Sequence, residues 1–162
     1  MGADLYIESV YRPNHDKYKK LFHRACIKRD IKAKTEDEKK KVQAEVDKYF
    51  NLMYDKGYFR DPYNSCNVLW QMGLSWWTDC GDLLNKRTCC MSPINAKRFK
   101  KMIEERPLSS FNRWKRTKNG KKFVDRTDPL EDWYEYFVEA RQELIDFLNQ
   151  AIEMKEPIWC SI

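Results

Sequence analysis

From Ala3 to Val10 the chain alternates, with Leu5, Ile7 and Ser9 on one side and Asp4, Tyr6, Glu8 and Val10 on the other. A period of two predicts a short β-strand over about residues 3–10. Pro13 and Asn14 read as a break. Beyond them Tyr18, Leu21, Phe22 and Ala25 recur at helical spacing, which predicts a helix from His15 to near Asp30.

A second helix is signalled by Thr35 with Glu38 three residues on, the capping-box pattern that satisfies backbone donors left over at a helix start. Val42, Val46, Tyr49, Phe50 and Met53 then share one face, lysines and acids the other, and Gly57 reads as the stop signal. Between Gly57 and Asn85 the texture changes. Asp61-Pro62 reads as a turn, and Trp70, Trp76 and Trp77 crowd a segment that predicts two short helices around Gly73.

Ser92-Pro93 supplies an N-cap and a first-turn proline for a helix through Ile94, Phe99, Met102 and Ile103, which Pro107 ends. The turn signal Asn119-Gly120 lies within residues 116–126, a candidate hairpin. From Thr127-Asp128-Pro129 to about Lys155 runs the longest helix, with Leu130, Trp133, Tyr134, Phe137, Leu144, Ile145, Leu148 and Ile152 as its apolar stripe. Pro157 ends it. The closing IWCSI is strand-like, and a lone strand needs a partner in water. The expected fold is α+β and predominantly α-helical: five to six helices, with a small sheet pairing the N-terminal strand (about 3–10) and the C-terminal strand (about 158–162).

The length of 162 residues is enough for one domain, so a single globular domain over 1–162 is expected. Charges within the first apolar stretch argue against a signal peptide, and no apolar run reaches the ~20 residues of a membrane span. Cys26, Cys66, Cys80, Cys89, Cys90 and Cys160 are scattered, form no CxxC pair and read as reduced thiols. A cytoplasmic protein without membrane contact is the expectation.

Charge is concentrated in one place. Between Lys97 and Arg126 there are 12 Lys or Arg against Glu104, Glu105 and Asp125, a local excess of +9, which leaves about −3 for the rest of a chain whose net charge is +6. Such a segment attracts polyanions, because neutralised phosphates release their condensed counterions. The candidate binding residues are Lys97, Arg98, Lys101, Arg113, Trp114, Lys115, Arg116, Lys118, Lys121 and Lys122. Phe111, Trp114 and Phe123 interleave with the cations and offer stacking surfaces. The plainer reading is a solvated helix face and loop, with Trp114 in the core.

A second candidate is a pocket in which Arg60, Asp61, Tyr63 and Asn64 adjoin Trp76 and Trp77, since ligand sites combine apolar walls with a few polar groups. Tryptophans in a small domain are equally at home in a core. His23 and Cys26 share a helix face and form the one His/Cys pair in reach, as weak a nucleophile-base pair as it is a zinc half-site. Asp79 and Asp82 flank Cys80 without the spacing of a cation loop. No Gly-rich phosphate loop, nucleophile elbow or HExxH is present. No catalytic residue, metal or cofactor is therefore expected.

The opening MGADLYI and the block GYFRDPYN followed by LWQMGLSWW resemble small proteins of bacteriophage and bacterial genomes. The resemblance implies a prokaryotic or viral setting and carries no catalytic residue. The expected function is a noncatalytic binding protein whose basic surface engages an anionic partner, namely nucleic acid, a nucleotide ligand or an acidic protein surface. In the phage setting this would be an inhibitor of a host defence or nucleic-acid-processing component. The alternative is a small enzyme or ligand-binding protein built on the Arg60 cluster.

Overall fold

The N-terminal alternation builds strand β1, Gly2–Ile7, in which Ala3, Leu5 and Ile7 are buried and the residues between them are not. The computed structural model describes residues 2–62, 67–108, 116–118, 121–123 and 130–162, the side chains of 116–118, 121–123 and 130–133 excepted. Strand β1 is shorter than residues 3–10, because helix α1, Glu8–Ile27, begins directly after Ile7. Glu8 and Arg12 form an i,i+4 ion pair of 2.7 Å across its first turn, and Glu8 complements the positive end of the helix.

Pro13 does not break the chain as expected but lies inside α1. There it removes one ladder donor, the one that would meet the Ser9 carbonyl. Asn14 is likewise helical, and its side-chain amide donates to the carbonyls of Leu52 (2.6 Å) and Met53 (3.3 Å). These are the last carbonyls of helix α2, Glu36–Met53. An expected breaker is thus a cap for the neighbouring helix.

The chain divides into two units, Met1–Leu5 with Phe59–Ile162, and Tyr6–Tyr58. The second is a helical hairpin. A π-helical turn, Lys28–Lys32, continues α1, and α2 follows with its capping box as expected: Thr35 Oγ1 accepts from Glu38 N–H at 3.2 Å while Glu38 accepts from Thr35 N–H. Val42, Val46 and Met53 are buried along α2, whereas Phe50 stays 48% exposed beside Phe22, ring centroids 5.8 Å apart. The run continues through Phe50–Tyr54, Tyr54–Tyr58 and Tyr58–Tyr11, at 5.1, 4.8 and 5.7 Å. Gly57 has φ +64°, and a Cβ there would lie 2.7 Å from Val10 Cβ, so no other residue fits where its carbonyl accepts from Ile7 N–H.

The first unit carries the sheet and the longer core. Strand β2, Tyr58–Pro62, includes Asp61 and Pro62, which the sequence had suggested as a turn. Short helix α3, Val68–Gln71, is separated from a π-helical turn, Trp76–Cys80, by Gly73 (φ +68°), matching the expected pair of helical segments. Strands β3, Leu84–Asn85, and β4, Cys90–Met91, form an antiparallel hairpin. Ser92 caps helix α4, Pro93–Glu104, accepting from Asn95 N–H.

Strands β5, Arg116–Lys118, and β6, Lys121–Phe123, pair as the expected hairpin, and Asn119-Gly120 lies outside the described residues. Helix α5, Leu130–Met154, is the longest, and strand β7, Ile158–Ser161, closes the chain.

The sheet order is β2-β1-β7-β4-β3, with β4 antiparallel to β7. The terminal strands β1 and β7 are neighbours, as the need of each for a partner predicts. With five α-helices among the described residues, the fold is α+β and predominantly helical. On α5, Phe137, Leu144 and Leu148 are buried as expected, while Tyr134 is 49% exposed. Arg141 of α5 donates to the carbonyls of Ile103 (2.9 Å) and Glu104 (3.3 Å), placing a cation on the negative end of α4. No helix among the described residues is long and apolar enough to cross a membrane.

Candidate functional site

The basic segment begins on α4. Ala96, Phe99 and Ile103 are buried at helical spacing, so Lys97, Arg98 and Lys101 fall on the exposed side. Lys101 lies 3.6 Å from Glu105 and Lys100 3.3 Å from Glu104, both i,i+4 pairs at the surface. Lys97 and Arg98 have no ion pair among the described residues. Arg113, Trp114 and Lys115 lie outside the description, and Phe111 with them.

The cations beyond them are in the β5–β6 ribbon. Its register sets Arg116 opposite Phe123, Thr117 opposite Lys122 and Lys118 opposite Lys121. Directly opposed residues share a face, and faces alternate along a strand. Arg116, Lys118, Lys121 and Phe123 therefore occupy positions on one face, Thr117 and Lys122 on the other. The ribbon forms a sheet of its own, apart from the five-stranded one.

The Arg60 cluster is taken apart by the pleat of β2, which alternates inward Phe59 and Asp61 with outward Arg60. The Arg60 side chain is half exposed, 3.7 Å from Asp4. Asp61 is 2% exposed and accepts from three donors: Val68 N–H at 2.9 Å, Leu69 N–H at 3.4 Å and Trp76 Nε1–H at 2.7 Å. Burial pushes its carboxyl up to about 6, against the lowering effect of those three hydrogen bonds. This geometry makes Asp61 a fastener between β2, the start of α3 and an indole. Tyr63 and Asn64 lie outside the described residues.

The two adjacent tryptophans are separated as well. Trp76 is 1% exposed, its ring 5.7 Å from Phe99 and 6.4 Å from Phe59, while Trp77 is 62% exposed. Trp77 nevertheless borders a cleft of about 210 Å³, together with Asn67, Trp70, Leu74, Ser75 and Trp76. Of this lining only Trp76 and Trp77 belong to the pocket read from the sequence. Asn67 and Ser75 were missed, yet each has a signature: Asn67 Oδ1 accepts from Trp70 N–H, and Ser75 Oγ accepts from Trp77 and Thr78 N–H, the habit of residues that cap short helical turns. Asp79 accepts from Ser75 N–H at 2.8 Å and serves the same turn.

His23 and Cys26 lie on α1, where His23 is exposed and Cys26 half-buried. No group of three or more His, Cys, Asp or Glu side chains able to hold a metal ion occurs among the described residues. Compared with known proteins, the chain matches no family model, no curated protein and no solved structure.

Proposed function

We propose that this chain is a noncatalytic binding protein of the cytoplasm that engages an anionic partner, foremost a nucleic acid, through its basic segment. The β5–β6 ribbon carries this reading. Two strands of three residues are marginal alone, and Lys118 directly opposite Lys121 weakens the pairing further. Four cations among six ribbon residues are poorly suited to self-stabilisation and well suited to phosphate. A two-stranded ribbon also fits the major groove of a duplex, and an aromatic position among cations favours stacking on unpaired bases. Lys97 and Arg98 on α4 add to the same local excess. The resemblance to small phage proteins favours an inhibitor that blocks a host nucleic-acid-processing or defence component.

Fluorescence anisotropy with labelled duplex and single-stranded oligonucleotides tests the reading. Binding is expected to weaken linearly in log K against log salt. Replacing Arg116, Lys118, Lys121 and Lys122 by Glu should remove about one unit of that slope per cation that contacts phosphate. Binding that ignores salt, or none at low salt, sinks it.

The cleft beside Trp77 supports a second reading, a small planar ligand held between indoles. Its volume of about 210 Å³ suits a single ring system. Titration with free nucleosides should then quench tryptophan fluorescence saturably in the intact chain and much less in Trp77→Ala. An unsaturated linear response in both would remove this reading.

A further inference from the structure

We propose that the cleft beside Trp77 is gated by a proton: the ionised Asp61 carboxylate fastens its two walls to each other, and a proton on that group lets one of them go. One wall is α3 with its cap, which contributes Asn67 and Trp70, and the other is the turn that contributes Ser75, Trp76 and Trp77. At the base they are joined through the backbone, where Leu74 N–H donates to the Leu69 carbonyl at 2.9 Å and Gly73 takes a φ of +68°. Asp61 ties them a second time from strand β2. Its Oδ1 accepts from Val68 N–H at 2.9 Å, in the first turn of α3. Its Oδ2 accepts from the Trp76 indole at 2.7 Å, in the other wall, with Leu69 N–H more distant at 3.4 Å.

That arrangement needs two acceptor oxygens. A carboxylate offers both, whereas a carboxylic acid keeps one and turns the other into a donor. Protonation therefore sets a hydroxyl against either the first turn of α3 or the Trp76 indole, and a buried N–H without an acceptor is costly enough to shift the segment that carries it. The proton is taken up all the same, because it removes a charge from a residue 2% exposed. Burial outweighs the three hydrogen bonds and brings the group up to about 6. The neighbouring titratable groups are engaged elsewhere. Arg60 of β2 turns outward, 3.7 Å from Asp4 of β1, and Asp79 accepts from Ser75 N–H within its own turn. Cys80 is a buried thiol that keeps its proton, and α3 carries no titratable side chain. The cleft is thus held in shape above pH 6 and loosened below it.

For ligand binding the gate rests on the reading of this cleft as a site for a planar ring; as a property of the cleft it does not. The test is a pH titration of the intact chain from about 8 to about 5, followed by proton–nitrogen NMR of amides and indoles. Asp61→Asn is titrated beside it, since asparagine has the single acceptor of the acid and no titrating proton. The Val68 amide and the indoles of Trp70, Trp76 and Trp77 are expected to shift together with a midpoint near 6, and in Asp61→Asn to stay at the low-pH position throughout. Should Asp61→Asn fail to fold, the wild-type titration still decides. Stationary Trp70 and Trp77 signals while Val68 and Trp76 move, or no midpoint near 6 in any of them, overturn the proposal. Adenosine, followed by tryptophan quenching, is expected to bind about tenfold more weakly at pH 5 than at pH 7, because the competent, ionised fraction falls from roughly ten elevenths to roughly one eleventh. Equal affinity at both pH values also overturns the gate. No binding at either removes the ligand reading, and the gate then stands or falls by the NMR titration.

Discussion

Asp61→Ala is expected to lower the stability of the chain by about 3 kcal/mol at pH 7, measured by urea denaturation. The substitution strands the N–H groups of Val68 and Leu69 and the Trp76 indole, all directed at one buried carboxylate. An orphaned buried donor costs ~1–3 kcal/mol, and three of them outweigh the ~3 kcal/mol relieved when a buried charge is removed. Unchanged stability combined with lost ligand binding would instead make Asp61 a binding group.

The same carboxyl sets a pH signature. Its folded value of about 6 lies above the ordinary aspartate value of 3.8, so between these limits the folded chain holds a proton that the unfolded chain has released. The contribution of Asp61 is therefore fully present below pH 4, is lost as pH rises through 6, and is constant above. A shift of roughly two units corresponds to ~3 kcal/mol. Relative to Asp61→Asn, which has no titrating group there, the wild-type chain should lose about that much between pH 4 and 7. Carbon-detected NMR of the Asp61 carboxyl, with a midpoint near 6, checks it directly, and a midpoint near 4 refutes it.

Phe99→Ala should cost about 4 kcal/mol, in the range of buried large-to-small aromatic replacements. Phe99 is fully buried at the middle of α4, and its ring faces Trp76 at a centroid distance of 5.7 Å. The near-ultraviolet circular dichroism of Trp76 should weaken with the loss of stability. A change below about 1 kcal/mol would mean that the site collapses around the missing ring. Because Asp61 and Phe99 both hold Trp76, the double variant should fall short of additivity, as contacting residues do.

Helices α2, α4 and α5 were legible because their signals are local. A capping box, a Ser-Pro start and an apolar stripe of 3.6-residue period each lie within a few turns of sequence. The start of α1 was not. Ser9 and Val10 continue an alternation that looks like strand, and Pro13-Asn14 looks like a breaker, but Asn14 gains two carbonyls of α2 that no local pattern displays. Strands β3 and β4, two residues each, are too short to show any period and exist because β7 offers β4 an edge.

The candidate site follows the same division. The local charge excess over 97–126 and the tryptophan crowding over 70–77 are properties of the chain, visible as soon as it is read. Which of those residues face water is set by packing. The pleat of β2 turns Arg60 outward and Asp61 inward, and one residue of rotation buries Trp76 and exposes Trp77.

By itself, then, the sequence determined the helices, their caps and the need of the two terminal strands for partners, since hydrophobic period and capping act over short stretches of chain. Only the tertiary structure decided the place of β2 and the β3–β4 hairpin in the sheet, the burial of Asp61 and the seating of Asn14 on the last carbonyls of α2. Those depend on groups distant in sequence arriving at one place, where desolvation and hydrogen bonding assign each side chain its role.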